Sequence, residues 1–471
     1  MAPIAIADTG FCIMGLDRPR HGFLNWIKPQ GLSWFNQRLR FIGLMLCCLG
    51  IVVSARLVWS QQPIHLTMLT SALDAAQGKS LVAAFEAENP GIKIDVIEGP
   101  NASNLIEDLY TSAFLLGGSP YDLVMMDVVW LPKFAAAGWL LDLTDRIPAA
   151  DLADFMAADL AGGRYNGRLY RLPVRSDVQL LYYRQDWLQQ VGIQPPETFA
   201  DLVAAAQLLQ SAGIARWGYV WQGRQFEGLA AVFVDILAGH GGFWVNPDNL
   251  EVGLDRSEAI QALQFLRNTI GVGISPPGVT NYQHEDARRL FQGGEVAFMH
   301  NWPYAYPLSN AADSPVQGKF NIRLMVHEPG LASAACLGGW GIGIAKTTAH
   351  PEAALKAAQF YASPAGQKRS ILDNGYLPTR RSLYADPEVL ARYPYFANLM
   401  PVVENAVLRP PIAQYAQASD ILQRYLSAAI TDRMTPEAAL QAAATETRAL
   451  LGRSTNPLSA AEPIDPVQEV S

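Results

Sequence analysis

Between Pro63 and Asp127 the chain alternates short apolar strands with amphipathic helices, and this alternation restricts the possible folds more than any other feature. Pro63–Thr70 carries Ile64, Leu66 and Met68 at the two-residue period of a strand. A helix capped by Asp74 is predicted through Glu88, with Leu81, Val82 and Phe85 on one face and Asn89-Pro90-Gly91 as its stop. Ile92–Ile97 alternates as a second strand. A helix follows from about Ser103 to Leu116, and Tyr121–Met126 is a short buried strand ending at Asp127. Strand–helix–strand units of this length predict a mostly parallel sheet covered by helices. Ligands of such sheets bind outside the carboxyl ends of the strands, which makes Asp127 and Trp130 candidates for a site.

A second informative stretch is Leu337-Gly338-Gly339-Trp340-Gly341-Ile342-Gly343-Ile344. Glycine inside a strand marks a place where a ligand or another backbone comes close, so Trp340 beside Gly339 reads as an aromatic platform over a cleft or as a core indole on a bulged strand. The G-x-G spacing enters an apolar run and opens no helix, so a dinucleotide loop is set aside. Between these stretches, Asn166-Gly167 predicts a hairpin within Arg164–Leu172, and a strand Val178–Tyr183 follows Asp177. Helices are predicted near Thr198–Ala212, Glu227–Ala238, Ser257–Ile270 and Asp286–Gln292. The buried strand Glu295–Met299 aims at Asn301-Trp302-Pro303-Tyr304.

The chain has 471 residues, 50% of them hydrophobic, enough for two or more domains. A net charge of −8 without a Lys/Arg cluster argues against nucleic acid as a partner. Of the cysteines, Cys12, Cys47 and Cys48 stand near the amino terminus, and Cys336, alone in the body, reads as a small buried hydrophobe. His284-Glu285 lacks the second His of a zinc peptidase, and no Ser sits in a G-x-S-x-G elbow. No cofactor is implied. Arg38 and Arg40, the apolar run Phe41–Ala55 and the small residues Val53-Ser54-Ala55 form the pattern of an export signal, with an uncleaved membrane anchor as the alternative. Residues 1–60 are therefore expected to be a leader, and residues 452–471, rich in Pro, Ser and Ala, a disordered tail. The body is expected outside the cytoplasmic membrane, periplasmic or tethered to its outer face.

Several stretches, in order, resemble one family. They include Ala83-Ala84-Phe85-Glu86-Ala87-Glu88-Asn89-Pro90-Gly91, Tyr121-Asp122-Leu123-Val124-Met125-Met126-Asp127 to Trp130, and Ala137-Gly138-Trp139-Leu140. Asp177 with Leu181-Tyr182-Tyr183-Arg184, Gly293-Gly294-Glu295-Val296-Ala297-Phe298-Met299, Gly338-Gly339-Trp340 and Leu377-Pro378-Thr379-Arg380 continue the set. Together, from about residue 63 to 451, they resemble the extracellular sugar-binding proteins of ABC importers, nearest to the trehalose/maltose-binding branch. The resemblance implies an α/β, two-lobe periplasmic-binding-protein fold of type II. Each lobe would be a mostly parallel sheet flanked by helices, and crossing segments would form the hinge. Lobe 1 would hold residues 62–172 and 335–379, and lobe 2 residues 173–334 and 380–451. It also implies a monomer that passes a small carbohydrate to membrane permease subunits and touches the membrane only through its amino-terminal segment.

Carried across residue by residue, the resemblance places Asp127, Asp177, Trp302, Trp340 and Arg380 on the sugar. The branch's arginine after the second strand is missing; Asn101, Ser103 and Asn104 stand nearby, and Arg175 stands where an aromatic ring would be ordinary. These residue types suit a sugar: carboxylates accept from neighbouring hydroxyls, Arg donates from a planar fork, and indoles cover C–H faces. Tyr304, Trp130 and Gly339 join the candidate site, with Gln222 and Glu227 at the rim of the second lobe. Each also has a structural reading, Asp127 as a helix cap and Asp177 as an ion-pair partner of Arg175 or Arg184. A secreted glycoside hydrolase using Asp127 and Asp177, or a binder of a polyamine or peptide, is the alternative function.

Overall fold

The first strands and helices form where apolar periodicity places them. The computed structural model describes Met45 and residues 63–454, apart from Asp248, Ala334 and Asn405. The leader expected over residues 1–60, Met45 excepted, and residues 455–471 of the expected tail lie outside the described residues. β1 (Ile64–Ser71), α1 (Ala72–Gln77), α2 (Lys79–Glu88), β2 (Ile92–Gly99), α3 (Ser103–Leu115) and β3 (Leu123–Asp127) follow the predicted alternation. β1 pairs in parallel with β2 from Ile64↔Ile92 to Ser71↔Gly99, and with β3 at Met68 and Leu69. The helix expected from Asp74 to Glu88 is divided at Gly78, and its cap is Ser71, whose hydroxyl accepts the Asp74 N–H at 3.0 Å. The Asp74 carboxylate accepts the Ser71 hydroxyl at 2.8 Å and pairs with Arg175.

The strand expected over Val178–Tyr183 is also divided. β4 (Leu172–Val178) lies in the first sheet and β5 (Leu180–Tyr183) in a second, so the chain crosses between the sheets at Gln179. The second sheet is completed by β6 (Trp217–Val220), β7 (Val296–Asn301) and β8 (Asn321–Arg323), in the order β8-β5-β7-β6. Its pairings are mixed: β6–β7 is parallel, while β5–β7 and β5–β8 are antiparallel. The chain then returns to the first sheet as β9 (Cys336–Ile344), which is central there. β9 pairs with β3, β4 and β10 (Val407–Leu408), giving a six-stranded sheet ordered β10-β9-β3-β1-β2 with β4 also on β9.

Helices cover both sheets. In α4 (Glu227–Gly239) almost every residue is buried, as expected of a helix apolar all round. α5 (His284–Gln292) opens beside the second sheet, and α6 (Pro351–Ala362) lays Ala353, Ala354, Ala357 and Ala358 on the core of the first. After α7 (Pro364–Asn374) and β10, α8 (Tyr415–Ile430) packs against α4 and against α9 (Pro436–Ser454). The predicted hairpin forms with Asn166 at φ 48° and Gly167 at φ 78°, the left-handed pair of a type I′ turn. Among the described residues no helix is long and apolar enough to cross a membrane.

The glycines of β9 have steric causes. A Cβ on Gly341 would lie 2.6 Å from the Leu172 carbonyl oxygen and would overlap Arg171 Nε, because the buried Arg171 passes under this strand. We expect Gly341→Ala to lower stability by about 1–3 kcal/mol, read as a shifted urea midpoint with an unchanged slope. An unshifted midpoint would contradict the close approach.

Candidate ligand-binding cleft

Strand register assembles the first half of the site. On β9, Trp340 stands opposite Asp127 of β3 on one side and Arg175 of β4 on the other, while Gly338 stands opposite Asp177. Residues far apart in sequence thus lie in a row at the edge of one sheet, past the carboxyl end of β3. The register shifts between Trp340 and Gly341, the bulge that glycine in this strand allows. Trp340 is half-buried and rests on the edge of Trp130, ring centroids 5.3 Å apart and planes at 79°.

The second half comes from β7, α4 and α5. Trp302 and Tyr304 follow β7, and Trp302 is held from behind: Tyr182 Oη donates to its carbonyl at 2.7 Å and its N–H donates to Asn301 Oδ1 at 2.9 Å. Asn301 Nδ2 also donates to the His284 carbonyl at 3.0 Å, which fixes the start of α5. Gly338 lets the halves meet, since a Cβ there would be 2.7 Å from the Trp302 ring. Asp127, Asp177, Glu227, Trp302, Trp340 and Tyr376 surround a cavity of about 110 Å³, with Asn101 and Ser103 at its wall. A second compartment of about 100 Å³ shares Asn101, His284 and Tyr304 with it.

Charge is arranged in two clusters. Arg409, buried after β10, donates to Asp127 Oδ1 at 2.7 Å and to Glu227 Oε1 at 2.6 Å, joining a first-sheet strand end to the start of α4. Glu227 also accepts from Ser419 Oγ at 2.6 Å and from Tyr415 Oη. In the other cluster Arg175 lies over Trp340 and Tyr376, 5.1 and 4.3 Å from their ring centroids. Its Nη1 is 2.5 Å from Asp74 Oδ1, whereas Asp177 receives only Nε at 3.2 Å. Burial would raise Asp74, but Arg175 outweighs it, with hydrogen bonds from Ser71 and Tyr376, and holds the carboxyl below its usual value. Burial pushes Asp177 up to about 7 against the pull of Arg175, with Asp74 and Asp127 adding to the rise. One guanidinium serves two acids, and the one it holds better keeps its charge.

This difference has a measurable sign. An unfolded Asp ionises near pH 3.9, so between about pH 4 and 7 the folded chain keeps a proton on Asp177 that the unfolded chain has lost. Stability contributed by this group is full below that window, falls as pH rises through it and levels off above about 7. Asp159, pushed up to about 7 mainly by burial, adds to the same slope. We expect Asp177→Asn to flatten, without abolishing, the fall of melting temperature between pH 4 and 8, raising it by about 5 °C at pH 8. An unchanged slope would rule out this account of Asp177.

Not every expected residue reaches the cleft. Arg380 is turned away: its Nε donates to the Ala362 carbonyl at 2.7 Å, Nη1 to that of Asp151 at 3.2 Å, and the guanidinium covers Phe155. The isolated bridge between Phe155 and Arg380 sets that direction, and Arg409 supplies the guanidinium instead. Gln222 is fully buried and donates to the His300 carbonyl at 2.6 Å. Trp130 is a core ring, 1% exposed, that supports Trp340. Gly339 faces Arg171 and Asp159 under the sheet, and of the β9 glycines it is Gly338 that lines the cleft. Asp127, Asp177, Glu227, Trp302, Tyr304 and Trp340 are brought together.

Sequence reasoning alone misses Arg409, Tyr376 and His284. Arg409 ends the apolar pair Val407-Leu408 before Pro410-Pro411, a strand-end signal of the kind that marks Asp127. His284 stands out in the sequence only as half of an incomplete metal motif. The residue is half-buried, its Nε2 is shielded from solvent and meets no partner among the described residues, and burial lowers its pKa to about 4, so it lines the cleft neutral. Such a nitrogen can donate to or accept from a ligand hydroxyl.

Known proteins share this fold. Residues 71–368 match the family described as bacterial extracellular solute-binding protein. A probable ABC transporter-binding protein of Deinococcus radiodurans is 33% identical over 364 residues, 75% of this chain and 86% of its own. Maltose-bound MalE3 of T. maritima superposes with a TM-score of 0.79 at 36% identity, over 82% of this chain and 100% of that one. A solute-binding protein of Agrobacterium radiobacter K84, solved with ribitol, gives 0.75 at 26% identity over 83% and 99%. The two-lobe type II periplasmic-binding-protein fold expected from the resemblance is the one these structures share with this chain.

Proposed function

We propose that this chain, which belongs to the bacterial extracellular solute-binding protein family, is the substrate-binding component of an ABC sugar importer. It captures a small glucoside or disaccharide, of the trehalose, sucrose, maltose or glucosylglycerol class, and delivers it to the permease without altering it. The observation that carries this reading is the cavity of about 110 Å³ in which Trp302 and Trp340 supply ring faces while Asp127, Asp177 and Glu227 supply acceptors. A sugar presents hydroxyls at its edge and C–H groups on its faces, and this lining answers both. The maltose and ribitol in the similar solved proteins support a polyhydroxylated ligand.

In this reading each sheet centres one lobe, and the chain crosses between lobes at Gln179, again between β8 and β9, and finally after Thr379, where the short β10 still pairs with β9 of the first sheet before α8 packs on α4. Ligand stabilises the closed form because only there does it touch both lobes, and differential affinity drives closure. The chain works as a monomer outside the cytoplasmic membrane, exported or tethered by its amino-terminal segment. The hydrolase alternative needs Asp127 or Asp177 as a proton donor at the bond. Asp177 keeps its proton to about pH 7 and could donate it, but hydrolysis also needs a second carboxylate free to act, and the ion pair with Arg409 makes Asp127 a fixed acceptor instead.

Calorimetric titration of the full chain against trehalose, sucrose, maltose, glucosylglycerol and glucose, followed by product analysis, tests the proposal. Saturable binding of at least one with the sugar recovered intact is expected. Hydrolysis of any of them, or no binding across the set, would reject it.

A further inference from the structure

A third cavity, of about 330 Å³, lies in the first-sheet half of the molecule on the other side of Trp340. The sheet lines it with Met68, Met125 and Val174, and α1 and α2 contribute Ala75, Leu81 and Val82. The space opens to solvent past Lys79, Ala83 and Glu98, and its inner wall is apolar, so a small molecule can enter it and bury an apolar group there. Two polar atoms there are orphaned: Thr70 Oγ1 and Tyr361 Oη belong to residues 3% exposed and meet no partner among the described residues. A mostly apolar cavity of at least ~300 Å³ with a few convergent polar groups is the pattern of a small-molecule site.

The cavity adjoins the cleft. Trp340 and Tyr376 line both spaces, and Arg175 lies over both rings. Arg175 and its ion-pair partner Asp74 line the larger space beside these two rings. An arginine held by side-chain bonds at the end of a flexible stem can swing aside, unlike a wall of backbone. Apolar cavities of roughly 150 Å³ accept benzene, so this one has room for a phenyl ring or a short alkyl chain.

We infer that this cavity is a second ligand compartment, and that the captured molecule has two parts. A hydroxyl-rich part is held at Asp127, Asp177 and Glu227, and an apolar aglycone passes Trp340 into the cavity. The inference rests on the proposed sugar-binding role and names its ligand class: glycosides that carry an apolar group. Thr70 and Tyr361 then bond an oxygen on that group.

Two titrations of the full chain test it. Methyl and phenyl glucosides differ only in the apolar group, and phenyl glucoside is expected to bind on the order of tenfold to a hundredfold tighter. Val82→Phe and Ala75→Leu, which fill the cavity, are expected to erase that difference while methyl glucoside binds unchanged and the melting temperature holds. Equal affinity of the two glucosides in the parent chain overturns the inference. The second titration uses the neutral dye N-phenyl-1-naphthylamine, which needs no sugar site. Saturable fluorescence that is lost in both filled variants supports the compartment even if neither glucoside binds, a result that would sink only the sugar reading. Absence of dye binding, or binding unaffected by the filled variants, overturns the compartment even if sugars bind.

Discussion

Replacing Arg409 with alanine is expected to destabilise the folded chain by about 3–5 kcal/mol and to abolish ligand binding. The residue is 3% exposed, and its two guanidinium nitrogens reach Asp127 at 2.7 Å and Glu227 at 2.6 Å. Asp127 closes β3, whereas Glu227 opens α4, so the guanidinium ties the end of a first-sheet strand to a helix packed beside the second sheet. Removing one partner of a buried charge cluster is costlier than never building it, because the remaining charges are left in low dielectric without compensation. Here two carboxylates would remain. The triple variant Arg409→Met, Asp127→Asn, Glu227→Gln is expected to recover most of the lost stability. It leaves the cluster without charge, and the new side-chain amide on α4 keeps an acceptor for Tyr415 and Ser419. It should not recover binding, because the charged acceptors and the donor fork are gone. Urea unfolding and calorimetry separate the two effects. A single-variant melting temperature within about 2 °C of the parent would show that the cluster contributes little.

How far the sequence reveals this arrangement depends on the range of the interaction involved. The β–α alternation before Asp127 is local, and so are the Asn166-Gly167 turn and the apolar run of β7; each forms close to where periodicity or turn chemistry predicts. The division of the chain at Gln179 is not local. Periodicity predicts a single strand, Val178–Tyr183, after the charged Arg175 and Asp177, and only pairing with β9 on one side and β7 on the other makes Leu172–Tyr183 two strands in two sheets. The site follows the same rule. Asp127 and Trp340 are legible because strand ends and glycine-flanked indoles announce themselves. Arg380 and Arg409 are both arginines near turns, and which one faces the cleft is decided by a bridge to Phe155 and by the partners Asp127 and Glu227, none of which sequence spacing records. Asp74 looks like a helix cap until Ser71 takes that role.

Trp340→Ala is expected to weaken binding of the captured sugar by at least about 2 kcal/mol, some thirtyfold or more, while leaving the fold intact. Trp340 is half-buried at the cleft, with Arg175 over its face and Trp130 at its edge. Glycines on both sides give it few side-chain neighbours along its own strand, so the lobe core does not depend on it. What it supplies is a flat apolar face in the same cavity as Trp302, and a shorter side chain cannot reach that position. Trp340→Phe keeps a ring and is expected to recover part of the affinity. Trp130 is the control. At 1% exposure beneath Trp340 it belongs to the core, and Trp130→Ala is expected to cost about 3–5 kcal/mol of stability. Calorimetry and thermal melting on the pair therefore distinguish a ligand wall from its support. Equal destabilisation by both alanine variants, with no specific loss of affinity at Trp340, would move Trp340 from the site into the core.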